Sequence, residues 1–302
     1  LFKINRRQFL KMGASLAAAM GLEATSIPKI AEALAELSSG QAPVLWLQGQ
    51  SCSGCSVSLL NIENPSPAVV LTQYISLLFH STISAATGQT AMDVVNKTIE
   101  LGGYYLAVEG AMPAGMPEAC VMGHKPVTEL VAKAAKKAKA VICVGACAAY
   151  GGIPAAENNP TGSMSVADFL SKEGSSTPLI RLPGCPCHPD WIVGTLVHVI
   201  KFGLPKLDKD GRPEVFYGRF LHDQCPRFAD YERENFAKTF SGDGCLFKLG
   251  CLGPVTKADC TTRFWNRGAN TCIVAGAPCI GCASDIFAKS TSLPFYRKGE
   301  RK

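Results

Sequence analysis

Fourteen cysteines, all beyond residue 51, are the residues in this 302-residue chain that could do the most chemistry. The first pair sits in Val44-Leu45-Trp46-Leu47-Gln48-Gly49-Gln50-Ser51-Cys52-Ser53-Gly54-Cys55. This is an apolar run, a short Gly/Ser loop and a C-x2-C pair. Gly49 and Gly54 have the glycine spacing of a phosphate-binding loop, but Cys55 stands where that loop needs its lysine. No side chain there would neutralise a terminal phosphate, so a nucleotide site is set aside. Two thiolates suit a soft metal instead. Alone, C-x2-C fits a redox dithiol, half a zinc site or half an iron–sulfur site, and the later cysteines must decide.

Those later cysteines also fall at marked places. Cys147 follows Gly145-Ala146, and Cys185 follows Pro183-Gly184. Further on come His222-x2-Cys225, Cys245-x5-Cys251 and Cys260-x11-Cys272-x6-Cys279-x2-Cys282. One histidine with three cysteines, or four cysteines, would serve zinc as well as iron–sulfur chemistry. No H-E-x-x-H and no G-x-S-x-G is present, so inert zinc sites would leave the chain a scaffold without an activity. Clusters in series would carry electrons. Cys143 falls inside an apolar run and reads, with Cys120, as a buried free thiol. Cys187 competes with Cys185, which is preferred because Gly184 lets backbone approach closely. His188 reads as structural. Arg219, Arg227 and Lys248 read as ordinary surface charge.

The elements that must position these residues can be read from the same string. Residues 36–204 alternate apolar runs with helical segments, the pattern of a parallel α/β sheet. Strands are expected at Val44–Leu47, Tyr104–Val108, Ala140–Val144 and Leu179–Leu182, with a helix over Val127–Lys139. Each strand ends in something chemical: Cys52 and Cys55, then Glu109-Gly110, then Cys147, then Cys185. Right-handed crossovers would gather these ends on one rim. Residues 205–302 are rich in Gly, Pro and Cys with little periodicity, so metal is expected to replace packing there.

Residues 1–35 read as an export address. Asn5-Arg6-Arg7-Gln8-Phe9-Leu10-Lys11 precedes an Ala-rich run, with small-residue cleavage patterns ending at Ala33 and Ala35. A twin-arginine signal carries folded, cofactor-loaded proteins to the periplasm, which favours metal clusters over a disulfide framework for the cysteines. The charged fraction is low at 18%, which hints at a large partner interface. The net charge of +6 is too diffuse for nucleic acid. No run of apolar residues beyond the N-terminus is long enough for a spanning helix.

Taken together, the signal, Leu47-Gln48-Gly49-Gln50 before Cys52, Val108-Glu109-Gly110, Gly145-x-Cys147, Pro183-Gly184-Cys185-Pro186, His222-x2-Cys225 and the last cysteine group resemble the small subunit of periplasmic nickel–iron hydrogenases, specifically the nickel–iron–selenium subgroup. The resemblance implies a flavodoxin-like domain followed by an irregular cluster-binding domain. It implies a proximal 4Fe–4S cluster on Cys52, Cys55, Cys147 and Cys185, facing a large subunit that carries the nickel–iron centre. A medial 4Fe–4S cluster would lie on Cys260, Cys272, Cys279 and Cys282. A distal one would lie on His222, Cys225, Cys245 and Cys251. Glu109 matches a family glutamate associated with proton movement. Most relatives have proline where Cys272 stands and a 3Fe–4S medial cluster. Oxygen-tolerant relatives carry extra cysteines where Gly54 and Gly152 stand here. The implied activity is reversible hydrogen oxidation, with electrons leaving to a multihaem c-type cytochrome.

Overall fold

The computed structural model describes residues 42–156 and 158–289; the expected signal at 1–35 and the basic end of the chain lie outside them. Its centre is a five-stranded sheet, all parallel: β1 (Ala42–Gln48), β2 (Ile75–His80), β3 (Tyr105–Glu109), β4 (Ala140–Val144) and β5 (Leu179–Leu182). The spatial order is β2-β1-β3-β4-β5. That is the flavodoxin-like order, with its switch point between β1 and β3. Four strands stand where the sequence places them, within a residue or two. The fifth, β2, was not expected; it pairs along β1 at the edge of the sheet.

Parallel strands are covered on both faces, so their sequences run apolar without a polar side. In β1 the alternation of side chains sends Val44 and Trp46 into one core and Leu45 and Leu47 into the other. Helix α1 (Gly54–Leu59) lies on the Trp46 face, and α2 (Gly88–Leu101), α3 (Val127–Ala135) and α5 (Val166–Lys172) lie on the opposite one. The expected helix from Val127 ends at Ala135, four residues early. Between β4 and α5, the short helix α4 (Gly145–Tyr150) carries Cys147. The long α6 (Pro189–Phe202) closes the Trp46 face with Trp191, Ile192, Leu196 and Val197.

After Phe202 the described residues form only short helical turns and isolated bridges. The segment nevertheless packs: Leu246, Ala258 and Ile273 belong to the same core as Trp46 and Trp191. The expectation that metal alone replaces packing there is therefore corrected, because this segment borrows the apolar face of α6. Polar ties reinforce the join. The Tyr217 hydroxyl donates to the Pro183 carbonyl at 2.9 Å, and Trp191 Nε1 donates to Asp259 at 2.8 Å. Arg263 bridges Asp259 at 2.6 Å and Asp190 at 3.1 Å.

A second tie is Arg212, which is 5% exposed, pairs with Asp208 at 2.7 Å and donates to the Ala283 carbonyl at 3.2 Å. Asp208 stays charged, its carboxyl held below the usual range by the Arg212 hydrogen bonds against the opposing pull of burial. Removing one partner of such a pair strands the other without water. Arg212→Ala is expected to cost about 3–5 kcal/mol, read as a lower urea midpoint.

Candidate metal centres

The carboxyl ends of β1, β3, β4 and β5 are neighbours, and the first cysteine set sits on the loops that leave them. Cys52 and Cys55 flank the start of α1, Cys147 lies in the first turn of α4, and Cys185 follows β5. Cys147 lies close enough to Cys185 and Cys52, and Cys55 to Cys147, for their charges to interact, so the four residues share this rim. Close packing at this rim needs glycine. Gly145 has φ +89, and a Cβ there would meet Cys55 Sγ at 2.5 Å. Gly152 has φ +50, and a Cβ would lie 2.9 Å from the Cys147 backbone nitrogen. Gly54, the other position where extra cysteines would be expected in oxygen-tolerant relatives, packs beside Cys52 Sγ. Cys52 is exposed, which leaves the set open on one side.

Glu109 lies under this rim, 2% exposed. The β1–β3 register sets Gln48 beside it, and Gln48 Nε2 donates to it at 3.1 Å. Trp46 Nε1 donates at 3.3 Å, and the Cys55 and Ser56 amides donate at 3.1 and 3.4 Å. The Ser56 hydroxyl donates to it as well. His80, at the end of β2, contacts that hydroxyl at 3.0 Å. Neither His80 nor Ser56 is marked as functional by its sequence surroundings.

The second set surrounds a cavity of about 350 Å³ walled by Cys260, Cys272, Cys279 and Cys282, with Cys185 and Pro186 at one end. The Asp259–Arg263–Asp190 tie fixes Cys260, the next residue. The third set, His222, Cys225, Cys245 and Cys251, lines a smaller pocket that shares Leu221 and Ile273 with the cavity. The Cys279 amide donates to Cys251 Sγ at 3.3 Å, a direct link between the second and third sets. Arg227, read from sequence as surface charge, instead donates to the Gly242 and Gly244 carbonyls at 2.7 and 2.6 Å. It thereby anchors the loop that carries Cys245. Lys248 covers the Phe236 ring at 5.1 Å.

The donors fit a group larger than one ion. All fourteen cysteines are free thiols. Among the described residues no three His, Cys, Asp or Glu side chains converge as a single-ion site. The second set faces a cavity instead. Burial pushes the Cys147 and Cys282 thiols up to about 12, and also raises Cys260 and Cys279 well above the ordinary thiol value. A thiol buried this way is inert unless a cation draws off its proton. In the third set, His222 Nε2 is buried without a hydrogen-bond partner. The ring is held by edge contacts with Phe228 and Tyr231, at centroid distances of 5.1 and 4.5 Å. An imidazole fixed by packing, with a nitrogen left over, is suited to a ligand role.

The remaining cysteines have other settings. Cys143 is wholly buried within β4, and Cys120 is half-buried beside the α2–α3 core. Cys187 is buried, and its amide donates to Cys55 Sγ at 3.3 Å, so its backbone supports the first set. His188 caps α6, Nδ1 accepting from the Asp190 amide at 3.1 Å, and Nε2 lies 2.8 Å from the Phe264 carbonyl oxygen. Cys120→Ser is expected to leave the bound iron unchanged, as measured by iron content per chain.

Comparison with known proteins shows which family the chain resembles. Residues 52–199 match the model for the 20 kDa subunit of NADH ubiquinone oxidoreductase, and residues 217–296 match that for the C-terminal part of NiFe/NiFeSe hydrogenase small subunits. Residues 3–22 match the twin-arginine signal sequence. The chain is 44% identical to the periplasmic NiFeSe hydrogenase small subunit of Desulfomicrobium baculatum, over 97% of this chain and 98% of that one. It is 40% identical to the periplasmic NiFe hydrogenase small subunit of Solidesulfovibrio fructosivorans, over 98% and 94%. A crystal structure of the D. baculatum NiFeSe hydrogenase superposes with TM-score 0.81 at 46% identity, covering 85% of this chain and 98% of that one. The chain therefore belongs to the NiFe/NiFeSe hydrogenase small-subunit family.

Proposed function

We propose that this chain is the electron-transfer subunit of a periplasmic hydrogenase, holding three 4Fe–4S clusters in a line. As a small-subunit family member it is one part of an oxidoreductase acting on H2, paired with a large subunit that carries the nickel–iron centre, and its twin-arginine signal addresses it to the periplasm. The proximal ligands are Cys52, Cys55, Cys147 and Cys185, open toward the partner. The medial ligands are Cys260, Cys272, Cys279 and Cys282. The distal ligands are His222, Cys225, Cys245 and Cys251. Clusters bound there would pass single electrons between the large subunit and a multihaem c-type cytochrome.

The observation that carries this reading is the sharing of walls. The central cavity takes Cys185 from the first set, and Leu221 and Ile273 are common to it and the third pocket. This adjacency supports a reading in which the sets run in series. The protein's own work is to bury the donors, exclude water and fix the separations. Arg227, Arg263 and the N-terminus of α6 hold the loops that do so. Purified with its partner, the chain is expected to reduce a multihaem c-type cytochrome under H2. A complex that holds nickel and consumes H2 with a small-molecule dye, yet never reduces the cytochrome, would refute the cytochrome assignment.

A further inference from the structure

The strand register assembles a buried polar chain that ends on Glu109. Pairing of β1 with β2 sets Trp46 beside His80, and pairing with β3 sets Gln48 beside Glu109. His80 is fully buried against the Trp46 ring, 5.1 Å between centroids. Its Nδ1 accepts from the Thr82 amide at 3.0 Å, so in the neutral ring the proton is on Nε2. Burial holds His80 neutral, pushing it down to about 4 although the Glu109 charge opposes this. Nε2–H thus donates to Ser56 Oγ, and the Ser56 hydroxyl donates to Glu109. Every hydrogen bond in the chain points toward the carboxylate.

Glu109 takes five donors in all, two on Oε1 and three on Oε2. Buried groups with every lone pair engaged are fixed in place, and an acceptor-only set of contacts belongs to an ionised carboxylate. The far end of the chain, His80, is sealed from solvent. A proton carrier needs a way out and a free lone pair, and this arrangement offers neither along His80 and Ser56.

We propose that Glu109, braced by His80 through Ser56, is a fixed negative charge that holds the proximal centre at low reduction potential. Two effects act in the same direction. A carboxylate held 3.1 Å from the Cys55 amide disfavours adding an electron to whatever the neighbouring sulfurs hold. The Cys55 and Ser56 amides, spent on Glu109, are also withheld from the sulfurs, where hydrogen bonds would raise the potential. His80 and Ser56 are positioning residues here, with no contact to the reacting atoms required.

This inference rests on the proximal cluster proposed above, and the test keeps the two apart. Potentials of the three centres are measured in the purified heterodimer by redox titration with paramagnetic resonance. Glu109→Gln is expected to raise the proximal potential and leave the medial and distal ones in place. His80→Phe should shift it the same way by less, since the carboxylate loses its brace. His80→Gln, which keeps an N–H donor toward Ser56, should match the parent protein. Unchanged proximal potentials in both Glu109→Gln and His80→Phe would overturn the inference. So would an unchanged potential with lost exchange between H2 and deuterated water, which would make Glu109 a proton carrier. Full retention of iron in Cys147→Ala would instead defeat the cluster assignment itself.

Discussion

In Cys147→Ala, iron per chain is expected to fall by about one third, the share of one cluster among three. Hydrogen-driven reduction of an external acceptor should fall by more than roughly 100-fold, beyond what changes around a metal's ligands usually cost. Exchange between H2 and deuterated water, which needs only the partner's centre, should persist. The reason lies in the rim geometry. Cys147 is the only cysteine in α4, and the Gly152 backbone packs closely against it, a Cβ there lying 2.9 Å from its nitrogen. The nearest spare thiol, Cys187, is buried, with its amide engaged to Cys55. Loss of activity without loss of iron would show that Cys147 is not a ligand.

The second large effect is expected at Cys272. It is the most exposed cysteine of the central set, on a loop held by the Thr271 hydroxyl and the Ala277–Cys272 backbone bond. Cys272→Pro should therefore remove one ligand without disturbing Cys260, Cys279 or Cys282, which are buried more deeply. The proline cannot donate or ligate, and three sulfurs would hold a 3Fe–4S cluster. The expected readout is a new low-temperature paramagnetic signal in oxidised protein, with the medial potential raised. If the variant shows only 4Fe–4S signatures, the central ligand set is assigned wrongly.

Much of this fold is legible in the chain because parallel strands are apolar throughout and end in glycine. That is why β1, β3, β4 and β5 could be placed from sequence. The edge strand Ile75–His80 was missed, since the residues before it, Leu71 to Tyr74, form a helical turn rather than a Gly or Pro break. Strand ends and spacing group the twelve candidate ligands into three sets, but the proximal, medial and distal cluster assignment came from family resemblance. What the sequence hides is whatever depends on register or on long-range packing. His80 and Ser56 meet Glu109 only because β2 and β3 flank β1. Arg227 resembles a solvated cation until the Gly242–Gly244 loop folds onto it. The second half looks too poor in apolar residues to pack, yet it shares the α6 core.

Diffraction from crystals of the heterodimer, collected at the iron absorption edge, tests the arrangement most directly. Three compact iron peaks are expected in this chain. One should lie at the strand-end cysteines, one within the Cys260–Cys282 cavity and one beside His222, in that order. Bridged cystines at those sulfurs, or single tetrahedral ions without iron, would contradict it.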